Sequence, residues 1–280
     1  MNKTRKLRHF HVGIGGWTFE PWRGVFYPKG LKHADELGYA SRHVTTIEIN
    51  STYYSTQKPE SFAKWAASAP EGFKFAVKAS RFATNRKALG EAGESVAKFL
   101  GQGLSELGGR LGPILWQFMP TKKFDPDEFG AFLDLLPAKQ DGLALRHVVE
   151  PRHATFADPA FVALCRKHGV AICASENENY PLIADVTADF VYLRLLGGSD
   201  DIETCYPPAE LDRWTERLKT YAAGGVPDDL TPVGDKAAAR TARDVYAYVI
   251  HSGKVRAPRA AMELLWRCYP ERFPQPKALD

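Results

Sequence analysis

Cysteine is scarce in this sequence. The four present in 280 residues, Cys165, Cys173, Cys205 and Cys268, are scattered with no CxxC pair, which argues against a disulfide framework and a zinc knuckle. A run of about eighteen apolar residues, the minimum for a membrane span, is also missing. The N-terminal stretch "MNKTRKLRHFHVGIGG" begins basic but meets no apolar segment long enough for a signal peptide, so the expected home is a reducing cytoplasm. Nor does charge of one sign dominate: 37 Lys and Arg against 33 Asp and Glu leave +4. That excess helps attract an anionic partner but falls short of the basic signature of a nucleic-acid-binding chain. No HExxH, GxSxG or Walker loop occurs. The stretch "GIGGWT" fails as a dinucleotide fingerprint, because Thr18 stands where the third glycine belongs and Trp17 would crowd a pyrophosphate.

What is present is the material of one globular domain. Hydrophobic residues make 44% and charged residues 25% of the chain, enough for a sizeable core. Short extended runs occur at "FHVGIGG", "VTTIEIN", "FKFAVKA", "GPILWQF", "HVVEP", "VAICAS", "FVYLRLL" and "DVYAYVI", most of them separated by amphipathic, helix-like segments. The segments "DPDEFGAFLDLLP" and "DPAFVALCRKHG" open on Asp-Pro and close on Pro or Gly, the start and stop chemistry of crossover helices. Eight such units fit a closed (β/α)8 barrel of the TIM class better than an open doubly wound sheet of about five or six strands. The gap between strands six and seven is too short for a full helix. That between seven and eight is long and holds "YPPAELDRWTERLKTYAAGGVPDDLTPVGDKAAART", an amphipathic helix and then a Gly/Pro/Asp-rich loop with the composition of a mobile one. The predicted organisation is a basic tail over residues 1–8 and a single barrel domain over 9–280, decorated between strands seven and eight.

The second of these runs, in "TTIEINSTYYS", raises a question. Ile47 and Ile49 point one way along an extended chain, while Glu48 and Asn50 point the other. An acid in a buried strand needs a reason. In a closed parallel barrel one strand face meets the helices and the other lines the interior, so Glu48 and Asn50 face inward. They also come late in the strand, at the C-terminal rim on which barrel enzymes build their sites. The pattern recurs, with Lys78 late in strand three, Gln117 in phase with Leu115, Glu150 in phase with Val148 and Arg194 in phase with Tyr192. Trp17 follows strand one, Tyr53 and Tyr54 follow strand two, and Arg152 and His153 follow strand five. All are expected to lean over the same mouth.

The residues also resemble a known family, the DUF72 or YecE-like proteins, whose structures are variants of the TIM barrel. The stretches that carry the resemblance are "IGGWTFEPWRGVFYP", "IEINSTYY", "KWAASAPEGFKFAVKA", "LGPILWQF", "VVEPRHATF" and "YLRLLGG", in the family's order and spacing. It implies the barrel fold and no particular activity, since no activity is generally assigned to the family. One departure stands out: members usually carry an Asn pair at the end of strand eight and an Asn-Ala further on, where this chain has Ile250, His251 and "PRAA" around Arg259.

The rim chemistry points to an enzyme. Glu48 and Glu150 are candidate general acid and base, one with its pKa raised by burial and the other held low by a neighbouring cation. Lys78 is expected to stabilise developing negative charge, a desolvated amine nucleophile being the other role open to it. Arg152 and Arg194 form a clamp for a carboxylate or phosphate, and Trp17, Tyr53 and Tyr54 offer flat faces to a sugar or base. With all five charged groups ionised the mouth is net positive, so the expected partner is a small anionic, sugar-like substrate. No nucleotide cofactor motif is visible, and cations competing on the same rim argue against a divalent metal. His9 and His11, at the start of strand one, belong to the opposite end and are expected to be exposed. Cys173 is expected to be inert packing, and Glu176 is either a rim acid or a solvated loop residue. Two other readings stay open, a nucleic-acid-binding protein supported by "KTRKLRH" and "HSGKVRAPR", and a barrel that binds a ligand without turnover.

Overall fold

The computed structural model describes residues 10–235, 238–250 and 252–277; the basic tail, His9 and His251 lie outside the described residues. Eight parallel strands close into a barrel in sequence order. They are β1 (Phe10–Gly15), β2 (Thr46–Ile49), β3 (Lys74–Lys78), β4 (Leu111–Gln117), β5 (His147–Glu150), β6 (Ala171–Glu176), β7 (Phe190–Leu195) and β8 (Asp244–Val249). Each coincides with one of the extended runs seen in the sequence. The closing pair aligns Phe10 with Val245 and Ile14 with Val249. An added Cβ at Gly13 would fall 1.7 Å from the Thr46 carbonyl oxygen, so β1 lies this close to β2 only as glycine.

Strand alternation divides the core in two. Ile47, Phe75, Val77, Ile114, Trp116 and Val149 join the sheath packed against the helices. Ala76, Leu115, Val148, Cys173, Tyr192 and Tyr248 plug the interior. This is the layered filling of a barrel whose inner face is packed.

The crossover helices start and stop as their sequences require. Asp125 caps the helix Pro126–Asp134 by accepting from the Glu128 amide at 2.9 Å. Asp158 caps Pro159–His168 by accepting from Ala160 at 2.7 Å, and Gly169 ends it at φ 62°. Residues 177–189, between β6 and β7, cross without a helix. Between β7 and β8 the helix Pro208–Ala222 buries Leu211, Trp214, Leu218 and Tyr221. In the segment after it, the Val233 and Gly234 amides donate to the Asp185 carboxylate at 2.6 and 3.0 Å.

One expectation is corrected at the N-terminal end. His11 is buried, with its ring stacked on Tyr246 at 4.5 Å. It faces the interior beneath the inner plug, where an aromatic ring fills space. Among the described residues, no helix is long and apolar enough to cross a membrane.

Candidate functional site

The last inward position of several strands carries a polar side chain, and these meet in one layer at the C-terminal end of the barrel: Glu48, Lys78, Gln117, Glu150, Ser175 and Arg194. Arg194 holds the layer together. Its Nη2 donates to Glu48 Oε1 at 3.0 Å, and its Nη1 donates to both Glu150 oxygens at 2.9 and 3.0 Å. The other Glu48 oxygen accepts from the Tyr192 hydroxyl at 2.6 Å. Glu150 Oε1 also accepts from Ser175 at 3.2 Å and from Arg152 at 3.2 Å. Burial works against ionisation of Glu150, but Arg194, Arg152 and Lys78 outweigh it and hold its carboxyl below the ordinary range. Burial likewise opposes the Arg194 charge, and Glu150 and Glu48 more than offset it, so the guanidinium stays protonated. The acid in the buried strand is thus a partner of an arginine.

Above this layer opens a cavity of about 840 Å³. Of the residues singled out in the sequence, Trp17, Asn50, Tyr53, Tyr54, Lys78, Gln117, Arg152 and Arg194 line it. Glu48 and Glu150 do not: both are fully buried beneath Arg194. The acid and base expected there do not reach the cavity wall, because the same guanidinium covers both. His153 is also elsewhere, its Nδ1 capping the turn Ala154–Phe156 by accepting from the Thr155 amide at 3.2 Å. Cys173 points into the inner plug, and burial pushes its thiol pKa well up, as packing requires. Glu176 does not line the cavity, and it is partly buried. Its Oε2 accepts from the Leu196 and Gly197 amides at 2.9 and 2.8 Å and from the Tyr206 hydroxyl at 2.9 Å, anchoring the loop after β7.

The wall also includes polar side chains that the sequence did not point to. Asn177, Asn179 and Tyr180 come from the helix-free loop after β6, and Lys254 from the segment after β8. The polar string "ENENY" directly after a strand was the available signal for the first three. Tyr180 supports Arg152, whose guanidinium carbon lies 4.6 Å from the Tyr180 ring centroid. Arg152 Nη2 donates to Gln117 Oε1 at 2.8 Å. The Nε groups of Arg152 and Arg194 are buried without a hydrogen-bond partner among the described residues.

The wall is electrostatically one-sided. Lys78, Arg152, Arg194 and Lys254 face the cavity, and no Asp or Glu lines it among the described residues. Lys78 and Lys254 make no salt bridge among the described residues, and their Nζ atoms sit 4.2 Å from the Tyr53 and Phe19 ring centroids; Lys78 is the buried one of the two. Burial first, and the Arg194 charge second, lower its pKa to about 8, against weaker pulls from Glu48 and Glu150. Among the described residues, no group of three or more His, Cys, Asp or Glu converges to hold a metal ion.

A family model described as "Protein of unknown function DUF72" matches residues 11–277. UPF0759 protein YecE of Escherichia coli (strain K12) is 30% identical over 149 residues, 52% of this chain and 49% of that protein. The match thus spans about half the length of the relative. Two solved structures, DUF72 family proteins of Thermotoga maritima and Enterococcus faecalis, share 21% and 16% identity with this chain. Their TM-scores are 0.68 and 0.67, with 94% of this chain covered in each case and 99% and 97% of theirs. At these identities they show the barrel fold alone.

Proposed function

This chain belongs to the DUF72 family, and from that membership and the walls of its mouth we propose that it is an enzyme acting on a small anionic, sugar-like substrate. One observation carries the reading: among the described residues, every charged side chain on the cavity wall is a cation. Counting the two buried carboxylates against Lys78, Arg152, Arg194 and Lys254, the site keeps two positive charges. A carboxylate or phosphate is attracted to such a site, more strongly the less water surrounds it.

The division of labour follows from what each group touches. Arg152, steadied by Gln117, Tyr180 and Glu150, is the more exposed side of the clamp. Arg194 contributes charge from below while Glu48 and Glu150 fix its position. The chemical step is centred on Lys78, whose lowered pKa leaves part of its amine neutral near neutral pH. Trp17, Tyr53 and Tyr54 supply apolar faces for a carbon skeleton.

A thermal-shift panel tests this, with inorganic phosphate, sugar phosphates, small carboxylates, nucleotides and short single-stranded oligonucleotides at low and high salt. A ligand at about a hundred times its Kd adds roughly 2.7 kcal/mol, a shift of a few degrees. A small anion should shift the wild-type protein with weak salt dependence, and Arg152→Ala should lose the shift. If oligonucleotides alone shift it, and only at low salt, the nucleic-acid reading replaces this one.

A further inference from the structure

Resting on the anion-binding reading above, we propose that Lys78 is a nucleophilic amine that forms an imine with the carbonyl carbon of a small oxo compound bearing a carboxylate or a phosphate. The argument starts from position. Lys78 ends β3 at the floor of the cavity, with its residue surface 9% exposed and its Nζ over the Tyr53 ring. A lysine placed to neutralise an acid would sit against Glu48 or Glu150. Both of those are taken by Arg194, and Lys78 makes no salt bridge among the described residues. The charged and titratable groups around it are Glu48 on β2, Glu150 on β5, Arg194 on β7, Arg152 just beyond β5, and Tyr53 beside it. A cation this enclosed, with an aromatic face but no carboxylate against it among the described residues, serves poorly as a structural element. As an amine it has an apolar neighbour in Tyr53 and space in front of it.

The ligand class follows from the same surroundings. The acid group of the compound meets Arg152 on the cavity wall, which leaves its carbonyl carbon to Lys78, the more buried of the two. At pH 7, a pKa of about 8 makes the neutral fraction of Lys78 on the order of a hundred times that of an ordinary lysine. The Nζ lone pair attacks the carbonyl carbon as the C=O π pair moves to oxygen. One nitrogen proton passes to that oxygen, giving a carbinolamine. Its hydroxyl then leaves as water with the second nitrogen proton, and C=N forms with no change of oxidation state. Protonated, the imine draws electrons from the adjacent carbon, so a proton or a carboxyl group there can be released.

The test is reductive trapping at pH 7 with cyanoborohydride, using glyoxylate, glycolaldehyde phosphate and uncharged glycolaldehyde as probes, with each adduct located by peptide mass spectrometry. Lys78 should be modified about tenfold faster than the median exposed lysine by at least one charged probe, given its larger neutral fraction. Excess inorganic phosphate should slow that modification, and glycolaldehyde should show less preference for Lys78. Whichever charged probe reacts faster identifies carboxylate or phosphate as the acid group. Lys78→Arg, which keeps the charge, should lose the adduct yet retain a thermal shift with phosphate. If Lys78 reacts no faster than exposed lysines with both charged probes, the imine is refuted. In that case a surviving phosphate shift leaves the anion site standing, and its absence removes both.

Discussion

The two ends of the barrel treat charge in opposite ways. At the N-terminal floor, Arg146 meets Asp244 at 2.8 Å and Asp189 at 3.4 Å, and its guanidinium lies 5.3 Å from the Phe190 ring centroid. One cation faces two anions there, and its side chain is 35% exposed. At the C-terminal mouth, Arg194 is 3% exposed between two fully buried carboxylates, and three further cations surround the opening. The floor closes its charges on themselves at the edge of water. The mouth buries its pairs and still leaves cations over. Pairing alone therefore does not mark a site, since both ends have it; what remains after pairing does, and here that remainder is centred on Lys78.

Breaking the pairs separates the two ends most sharply. Arg194→Met leaves Glu48 and Glu150 buried without their shared partner, and such a loss costs about 3–5 kcal/mol. Urea unfolding should show this as a large fall in midpoint, and a loss under about 1 kcal/mol would mean the buried network does not hold the layer. Lys78→Met should act differently, because no carboxylate pairs with Lys78 among the described residues. Its folded pKa of about 8 lies below the usual lysine value of 10.5, so the folded state binds fewer protons than the unfolded state between those values, and stability rises with pH across that window. The charged amine thus weighs on the fold below pH 8. From pH 7 to pH 10 the wild-type protein should gain about 2 kcal/mol relative to Lys78→Met, with tyrosine and cysteine titrations common to both proteins. A constant difference between the two would show Lys78 to be an ordinary lysine. The smallest effect belongs to the floor: Arg146→Met should cost no more than about 1 kcal/mol, as partly exposed pairs do, and should leave any anion-induced shift intact.

Period-two alternation made the barrel and the inward face of Glu48, Lys78, Gln117, Glu150 and Arg194 readable, since alternation assigns a side chain to a face regardless of what surrounds it. It does not assign depth. That Arg194 would lie over both carboxylates depends on how side chains of different length stack across the barrel, and no spacing in the sequence records this. His11 was misjudged because a strand start reads as an edge until Tyr246, 235 residues away, is seen to cover it. Asn177, Asn179, Tyr180 and Lys254 were missed because loops carry no period. The route of residues 177–189 is set by contacts outside the loop, among them those of Glu176 and Asp185 at its edges.

The claim that the mouth holds surplus positive charge around an unpaired lysine is tested most directly at the amine itself. In protein labelled with ¹³C at lysine Cε, one resonance, assigned through its absence in Lys78→Arg, should titrate near pH 8 while exposed lysines titrate near their ordinary value of about 10.4. Added phosphate should raise that pKa, because a bound anion favours the charged form. A Lys78 resonance that titrates with the exposed lysines, with or without phosphate, would contradict the account.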